Sequence, residues 1–364
     1  MRGALAFVLI VHGLIHLMGL AKAFGWAELA ALTQPISRPM GVLWLVAALL
    51  FVATTIALFA LPRWWWAIGA VAIAVSQVVI VSSWADAKAG TIANLVVLLA
   101  VGIGALAEGP TSLPARFDAE VARGLARSAS SPTIREEDLA PLPAPVQRYL
   151  RAVGVVGQPR PRGLRARFVG RIRSGPSAAW MTFEARQVSF LDTLTRLFFM
   201  RASMSGLPVQ VFHAFVGPRA TMDVRVLGAV PMVHAEGAEM NRSETVTLLN
   251  DMAVLAPASL LSPSIAWSAL DDHRARASLT HEGITVAADL VFGDDDTLVD
   301  FVSDDRLQSQ DDGSFRLLRW STPLRAPRAF GPLRLPSRAE TRWHPPEGEW
   351  VYGEFELTEL ETIP

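Results

Sequence analysis

The chain has 364 residues and a formal net charge of −1, which argues against nucleic acid as a main partner. It is 51% hydrophobic and only 18% charged, with a mean hydropathy of +0.32, whereas an ordinary soluble domain carries about 25% charged residues. Cysteine is absent, which excludes disulfides, thiol catalysis, Cys-ligated zinc, iron–sulfur clusters and a lipidated N-terminal cysteine.

The charge deficit is local. Residues 1–108 hold eight charged side chains, about 7% of that stretch, and residues 109–364 hold the other 59, about 23%. The first part therefore reads as a membrane segment and the rest as a domain large enough for its own core. Four apolar stretches, about Gly3–Lys22, Met40–Leu61, Trp65–Trp84 and Ala89–Ala107, match the roughly 20 helical residues that span a bilayer. Trp44, Trp64, Trp65, Trp66 and Trp84 lie near their ends, as an interfacial belt would. Arg2, the first apolar run and Ala21-Lys22-Ala23 also imitate a cleaved signal peptide, but the run is long for one and carries His12 and His16. With the first segment retained, Arg2, Arg63, Arg116, Arg123 and Arg127 fall on one side and Lys22, Arg38 and Lys88 on the other. The positive-inside rule then makes the chain an integral membrane protein with its soluble domain in the cytoplasm.

Polar residues inside these spans are candidates for function. His12 and His16 share a helix face, and at 1.5 Å per residue His16, Gln77 and Asn94 all lie about 20 Å from the inner end of their helices. This layer is either a ligand, metal or proton site or a set of interhelical hydrogen bonds that fixes packing. Without cysteine or a well-placed carboxylate, no metal shell is completed and no cofactor is expected.

Residues 109–144 are rich in proline, serine and alanine and read as a linker, with room for a short helix near Asp118–Arg127. The β-rich domain, 145–364, begins with a helix over Pro145–Val153 that ends at Gly154. From Leu164 the hydrophobic period is two. Strands are expected at Leu164–Arg173, Trp180–Phe190, Val209–Val216, Ala220–Leu227 and Val230–Ala235 in the first half. In the second half they are expected at Ala275–Thr280, Ile284–Phe292, Thr297–Ser303, Ser314–Trp320, Arg338–His344 and Trp350–Leu357. Glu282-Gly283, Gly293-Asp294, Asp312-Gly313 and Glu347-Gly348 mark turns. One helix interrupts them: Asn241 with Glu244 resembles a capping box, and Val246, Leu249, Met252 and Ala253 form its apolar stripe. The expected fold is thus an all-α four-helix transmembrane bundle followed by a mainly antiparallel β domain, a curved sheet or half-barrel covered by one or two helices.

Three segments of the β domain, LPAPVQRYLRAVGVVG, NRSETVTLLNDMAVLAPASLL and DDRL…WSTPL…GPLRLPSRAETRW…YGEFEL, resemble an uncharacterised bacterial family known only as a domain of unknown function. The N-terminal HGLIHLMGLAKAFG…ISRPMGVLWLVAALLF…DAKAGTIANLVVLL resembles the four-helix segment found ahead of it. In element order the soluble part is similar to the LolA/LppX-type lipoprotein-carrier half-barrel, which implies a lipid or other apolar ligand.

Leu248, Leu249, Met252, Leu255, Leu260, Leu261 and Trp267 are the candidates for lining a cavity between helix and sheet, unless they pack tightly as core. Arg165, Arg167, Arg171 and Arg173 form one strand face, suited to anionic lipid headgroups or to cross-strand acids. The aspartates at 294–296, 300, 304–305 and 311–312 miss the EF-hand spacing and read as turn formers. His213, His234, His273, His281 and His344 are scattered, and no H-E-x-x-H, G-x-S-x-G, P-loop or G-x-G-x-x-G occurs. The leading expectation is therefore a non-enzymatic membrane protein that binds or passes on a lipid or other apolar ligand, with the bilayer as its partner. An enzyme or metal site in the bundle and a sensor or scaffold for another protein are the rivals.

Overall fold

In the N-terminal part of the chain, close helix packing follows from where the small residues fall. A computed structural model describes residues 2–127, 132–310 and 314–364, and the chain divides into two units. The first unit runs to Arg116 and includes Leu227–Val230. Its helices are α1 (Arg2–Ala23), α2 (Arg38–Ala60), α3 (Trp65–Ser82), the single turn α4 (Trp84–Ala87) and α5 (Gly90–Glu108). α1, α2, α3 and the helix beginning at Gly90 are long and apolar enough to cross a membrane. A Cβ on Gly19 would stand 2.0 Å from the Trp44 ring, and one on Gly104 would stand 2.2 Å from Trp65. Small residues thus let indole rings lie directly on neighbouring helix backbones, the device that packs helices when lipid supplies no hydrophobic drive. Ser37 caps α2, with Pro39 in its first turn. The α1–α2 loop is pinned by Asp86, whose carboxylate accepts from Thr33 N at 2.6 Å, Thr33 Oγ1 at 2.7 Å and Gln34 N at 2.8 Å.

The second unit comprises Phe117–Val226 and Pro231–Pro364. It is one antiparallel sheet curled into a half-barrel. The first half is a meander of β1 (Gly163–Ile172), β2 (Met181–Phe190), β3 (Thr195–Met204), β4 (Leu207–Val216), β5 (Arg219–Val226) and β6 (Val230–Glu236). The chain then crosses through α8 (Ala238–Val254) and starts a second meander. Its strands are β7 (Ile265–Asp271), β8 (Arg274–His281), β9 (Ile284–Phe292), β10 (Leu298–Ser309), β11 (Phe315–Ser321), β12 (Leu324–Phe330), β13 (Leu333–His344) and β14 (Trp350–Ile363). The order across the sheet is β6-β5-β4-β3-β2-β1-β14-β13-β11-β10-β9-β8-β7, with β12 paired to β13 off this path. β1 and β14 join the two meanders, from Gly163 opposite Ile363 to Ile172 opposite Gly353, with a bulge at Arg167/Phe168.

α8 lies on the concave side against β5, β8, β9 and β10. Its stripe of Val246, Leu249, Met252 and Ala253 is buried in the main core with Leu279, Leu290 and Phe301. α7 (Ala144–Val153) ends at Gly154 in the left-handed conformation, and Tyr149 Oη donates to the α8 carbonyl of Ala253 at 2.7 Å. Within the stretch expected to act as a linker, α6 (Leu113–Leu125) places Phe117 against Phe199 and Phe212, and Ile134, Leu139 and Leu142 are buried in the core.

Three strands escaped the alternation rule. β3 is buried on both faces because α6 covers its back, so Leu197-Phe198-Phe199-Met200 reads as a continuous apolar run. β7 and β12 are edge or off-path strands with largely exposed residues and little pattern. The capping-box reading is corrected: α8 begins at Ala238, three residues before Asn241. Asn241 Oδ1 instead accepts from Ala220 N at 2.7 Å, tying the helix to β5, and Glu244 turns into the barrel as part of a buried ion cluster. The turn at Asp312-Gly313, the Asp311-Asp312 pair and Ser130-Ser131 lie outside the described residues.

Candidate functional site

Alternation along adjacent strands builds a cavity. Phe198, Met200 and Ala202 on β3, Val209, Val211 and His213 on β4, and Met222, Val224 and Val226 on β5 are every-second-residue sets facing the concave side. With Phe168, Phe355 and the 247–255 face of α8 they enclose about 540 Å³, within the range of small-ligand sites. Most of this wall is methionine, phenylalanine and valine, a lining suited to a flexible apolar chain.

One wall is polar and crowded with charge. Arg196 on β3 donates from Nε to Asp251 Oδ2 at 2.6 Å and from Nη1 to Glu244 Oε2 at 3.2 Å. Gln187 Nε2 donates to the same Asp251 oxygen at 2.8 Å. His213 Nδ1 lies 3.2 Å from Glu244 Oε2. Arg306, on β10, donates from Nη1 to the Ser243 carbonyl at 3.3 Å and to Thr247 Oγ1, and its guanidinium lies 4.5 Å from the centre of the Trp320 ring. Burial alone would raise the Glu244 carboxyl, but His213, Arg196 and Arg306 outweigh it and hold that group below the ordinary carboxylate value. Asn250 Nδ2, Thr322 Oγ1, Arg306 Nε and His213 Nε2 are buried atoms with no hydrogen-bond partner among the described residues, and all four residues line this cavity. A buried polar atom left unmatched costs about 1–3 kcal/mol, so four on one cavity is a concentration of unused hydrogen-bonding capacity.

Of the cavity residues expected from sequence, Leu255 lies on the wall. Leu248, Leu249, Met252 and Leu260 are fully buried in the core, with Leu261 and Trp267 partly buried against it. Leu255 also borders a second cavity of about 480 Å³, lined by Ile134, Val155, Leu164, Pro257 and Phe330. The residues that reasoning from sequence missed are Gln187, Arg196, Glu244, Asn250, Asp251, Arg306 and Thr322. A signal for part of this set was available: Glu244, Thr247 and Asp251 recur at helical spacing on a helix whose other face is apolar.

In the first unit, His12 Nε2 lies 2.9 Å from Asn94 Oδ1, and His16 Nε2 lies 2.9 Å from Ser76 Oγ. His16 Nδ1 donates to the His12 carbonyl at 2.8 Å, Ser76 Oγ lies 3.1 Å from Asn94 Oδ1, and Asn94 Nδ2 donates to Gln77 Oε1 at 3.0 Å. The four expected side chains are thus brought together, joined by Ser76, in a layer that satisfies itself across α1, α3 and α5. Among the described residues no group of three His, Cys, Asp or Glu is placed to hold a metal.

The arginine face is divided. Arg171 makes a two-pronged pair with Glu354 at 2.8 and 2.7 Å, and Arg167 pairs with Glu359 at 2.9 Å, both directly across the β1–β14 ladder. Arg165 is exposed opposite Glu361. Arg173 donates to the Val351 and Pro176 carbonyls, lies over Trp180 at 4.6 Å and borders the cavity.

The acidic stretch forms separate contacts: Asp296 with Arg148, Asp304 with Arg319 and Asp305 with Arg242. Asp300 differs, since burial pushes its carboxyl up to about 6 against the lowering pull of the Phe301 and Thr322 amides. An unfolded aspartate titrates near ~3.9, so between these values the folded state holds more proton and stability falls as pH rises from about 4 to about 6. Asp300→Asn is expected to abolish that slope and gain about 1–2 kcal/mol at neutral pH after allowance for solvent screening. Denaturant midpoints of both chains at acid and neutral pH check this; an equal offset at both would overturn it.

The fold and site define a curled antiparallel half-barrel with a helix-covered apolar cavity and a polar wall. The chain belongs to the DUF6544 family, a family of unknown function, whose model matches residues 132–355. No curated protein matches the chain. Among solved structures it is similar to a DUF1329 family protein from Desulfovibrio piger, at 11% identity and a TM-score of 0.35 over 60% of this chain and 92% of that one. It is similar also to a LolA superfamily protein from Nitrosomonas europaea, at 11% identity and a TM-score of 0.33 over 60% and 93%. A third is a domain named for outer membrane lipoprotein sorting from Vibrio parahaemolyticus, at 7% identity and a TM-score of 0.33 over 55% and 85%.

Proposed function

We propose that the half-barrel binds a lipid or other apolar ligand, and that α1, α2, α3 and α5 anchor it in a bacterial cytoplasmic membrane. The observation that carries this reading is the cavity of about 540 Å³ walled by Met200, Val211, Val224, Phe168 and Phe355. The self-satisfied layer of His12, His16, Ser76, Gln77 and Asn94 supports a packing role in the bundle rather than a site of chemistry there. The distribution of Arg2, Arg63, Arg116, Arg123 and Arg127 favours a cytoplasmic half-barrel, which a reporter fused after Pro364 would check.

The test is saturable binding of an apolar fluorophore by the full chain in phosphatidylcholine nanodiscs, read against empty discs. Val224→Trp fills the cavity from its wall and is expected to weaken binding at least tenfold with an unchanged melting temperature. Binding no greater than to empty discs, or equal binding by the Trp variant, would sink the reading.

A further inference from the structure

We propose that the ligand is a singly charged amphiphile, a long-chain carboxylate whose head is held by Arg306, Asn250 and Thr322 while its tail runs along the methionine and phenylalanine wall. This rests on the apolar-ligand reading and adds the identity of the head group. Asn250 and Thr322 are 7% and 3% exposed, yet Asn250 Nδ2 and Thr322 Oγ1 have no partner among the described residues. Arg306 Nε is a third such atom, and all three residues face one cavity.

They share a wall through named contacts. Arg306 bonds Ser243 and Thr247 on α8, one turn before Asn250, and lies on Trp320. Thr322 follows the end of β11, two residues beyond Trp320, and both line the cavity. Arg306 Nε–H and the Asn250 amide are donors, and the Thr322 hydroxyl donates as readily as it accepts. A carboxylate, which only accepts and has about four lone-pair sites, matches this set where a hydroxyl or an amine does not.

Charge agrees. The cavity is lined by Arg173, Arg196 and Arg306 against Glu244 and Asp251, one cation in excess. Arg196 is matched by both carboxylates, at 2.6 and 3.2 Å. Arg306 comes no nearer than 4.0 Å to Glu244 and its Nε meets no hydrogen-bond partner among the described residues, so it retains capacity for an anion. His213, paired to Glu244 through Nδ1, presents Nε2 to the same cavity.

The experiment titrates the full chain, in phosphatidylcholine nanodiscs, with cis-parinaric acid and with its methyl ester, subtracting empty discs. The acid is expected to bind at least tenfold more tightly than the ester. Asn250→Leu and Thr322→Val are each expected to weaken the acid three- to tenfold and to leave the ester unchanged. Equal binding of acid and ester overturns the head-group assignment and leaves the apolar-ligand reading standing, whereas saturable binding of neither overturns both. Displacement of the probe by hexadecyl phosphate at lower concentration than by palmitate would assign the head to a phosphate and overturn the carboxylate.

Discussion

Arg196→Met is expected to destabilise the half-barrel by about 3–5 kcal/mol, because it leaves Asp251 and Glu244 as buried carboxylates stripped of their shared cation. The Arg196 side chain is 9% exposed and sits between β3 and α8, on the wall of the cavity, where its charge is the nearest match for both carboxylates. Methionine fills most of the same volume, which isolates the loss of charge from the loss of packing. Glu244 keeps His213 and Arg306 nearby, so Asp251, left with Gln187 alone, suffers most. Adding Asp251→Leu to the variant is therefore expected to restore at least half of the loss, since a buried pair replaced by apolar residues is often neutral. Denaturant unfolding of the full chain in detergent, followed by near-ultraviolet circular dichroism, measures both. A single-variant loss below about 1 kcal/mol would mean that the cluster is not held as the geometry states.

Gly170→Val is expected to cost more than about 3 kcal/mol or to prevent the half-barrel from forming, for a reason that repacking cannot relieve. A Cβ at this position would stand 2.0 Å from the Glu354 carbonyl oxygen and 2.8 Å from the Phe183 ring. Phe183 can turn aside, but the carbonyl belongs to β14 and is fixed by the ladder that joins the two meanders. Gly170→Ala is expected to act in the same direction with a smaller loss. Gly175, where an added Cβ meets nothing within 4 Å, is the matched control, and Gly175→Ala should change stability by less than about 0.5 kcal/mol. Equal effects at both glycines would refute the close-approach argument.

The parts of this molecule that could be read from its sequence are those in which one periodicity dominates. The four apolar stretches, the alternating Leu164–Arg173 strand and the Pro145–Gly154 helix each carry a single strong pattern, and the structure places them accordingly. β3 failed that test because a strand covered on both faces has no polar side to alternate with. The polar wall was obscured by a different conflict. Glu244 and Asp251 look like solvent-facing positions of an amphipathic helix, and only the curl of the sheet around α8 turns that face inward. Asn250 and Thr322 carry no local signal, since their significance is that Asn250 Nδ2 and Thr322 Oγ1 meet no hydrogen-bond partner among the described residues. The His12–His16 spacing was legible as a polar layer, whereas Ser76, which links it, looks ordinary within an apolar span.

The pairing of β1 with β14 sets an order on biosynthesis. A ribosome delivers β1 to β6 as neighbours that can zip up hairpin by hairpin, then β7 to β11 likewise, with β13 pairing back to both β11 and β12, yet the two halves have no direct ladder to each other before β14. Until residues 350–363 have left the exit tunnel, β1 and β13 each present an open edge. The nascent half-barrel must therefore wait, with its cavity wall exposed, for its latest strand before it can close. The open edges of β1 and β13 therefore persist until residues 350–363 are free to pair with both.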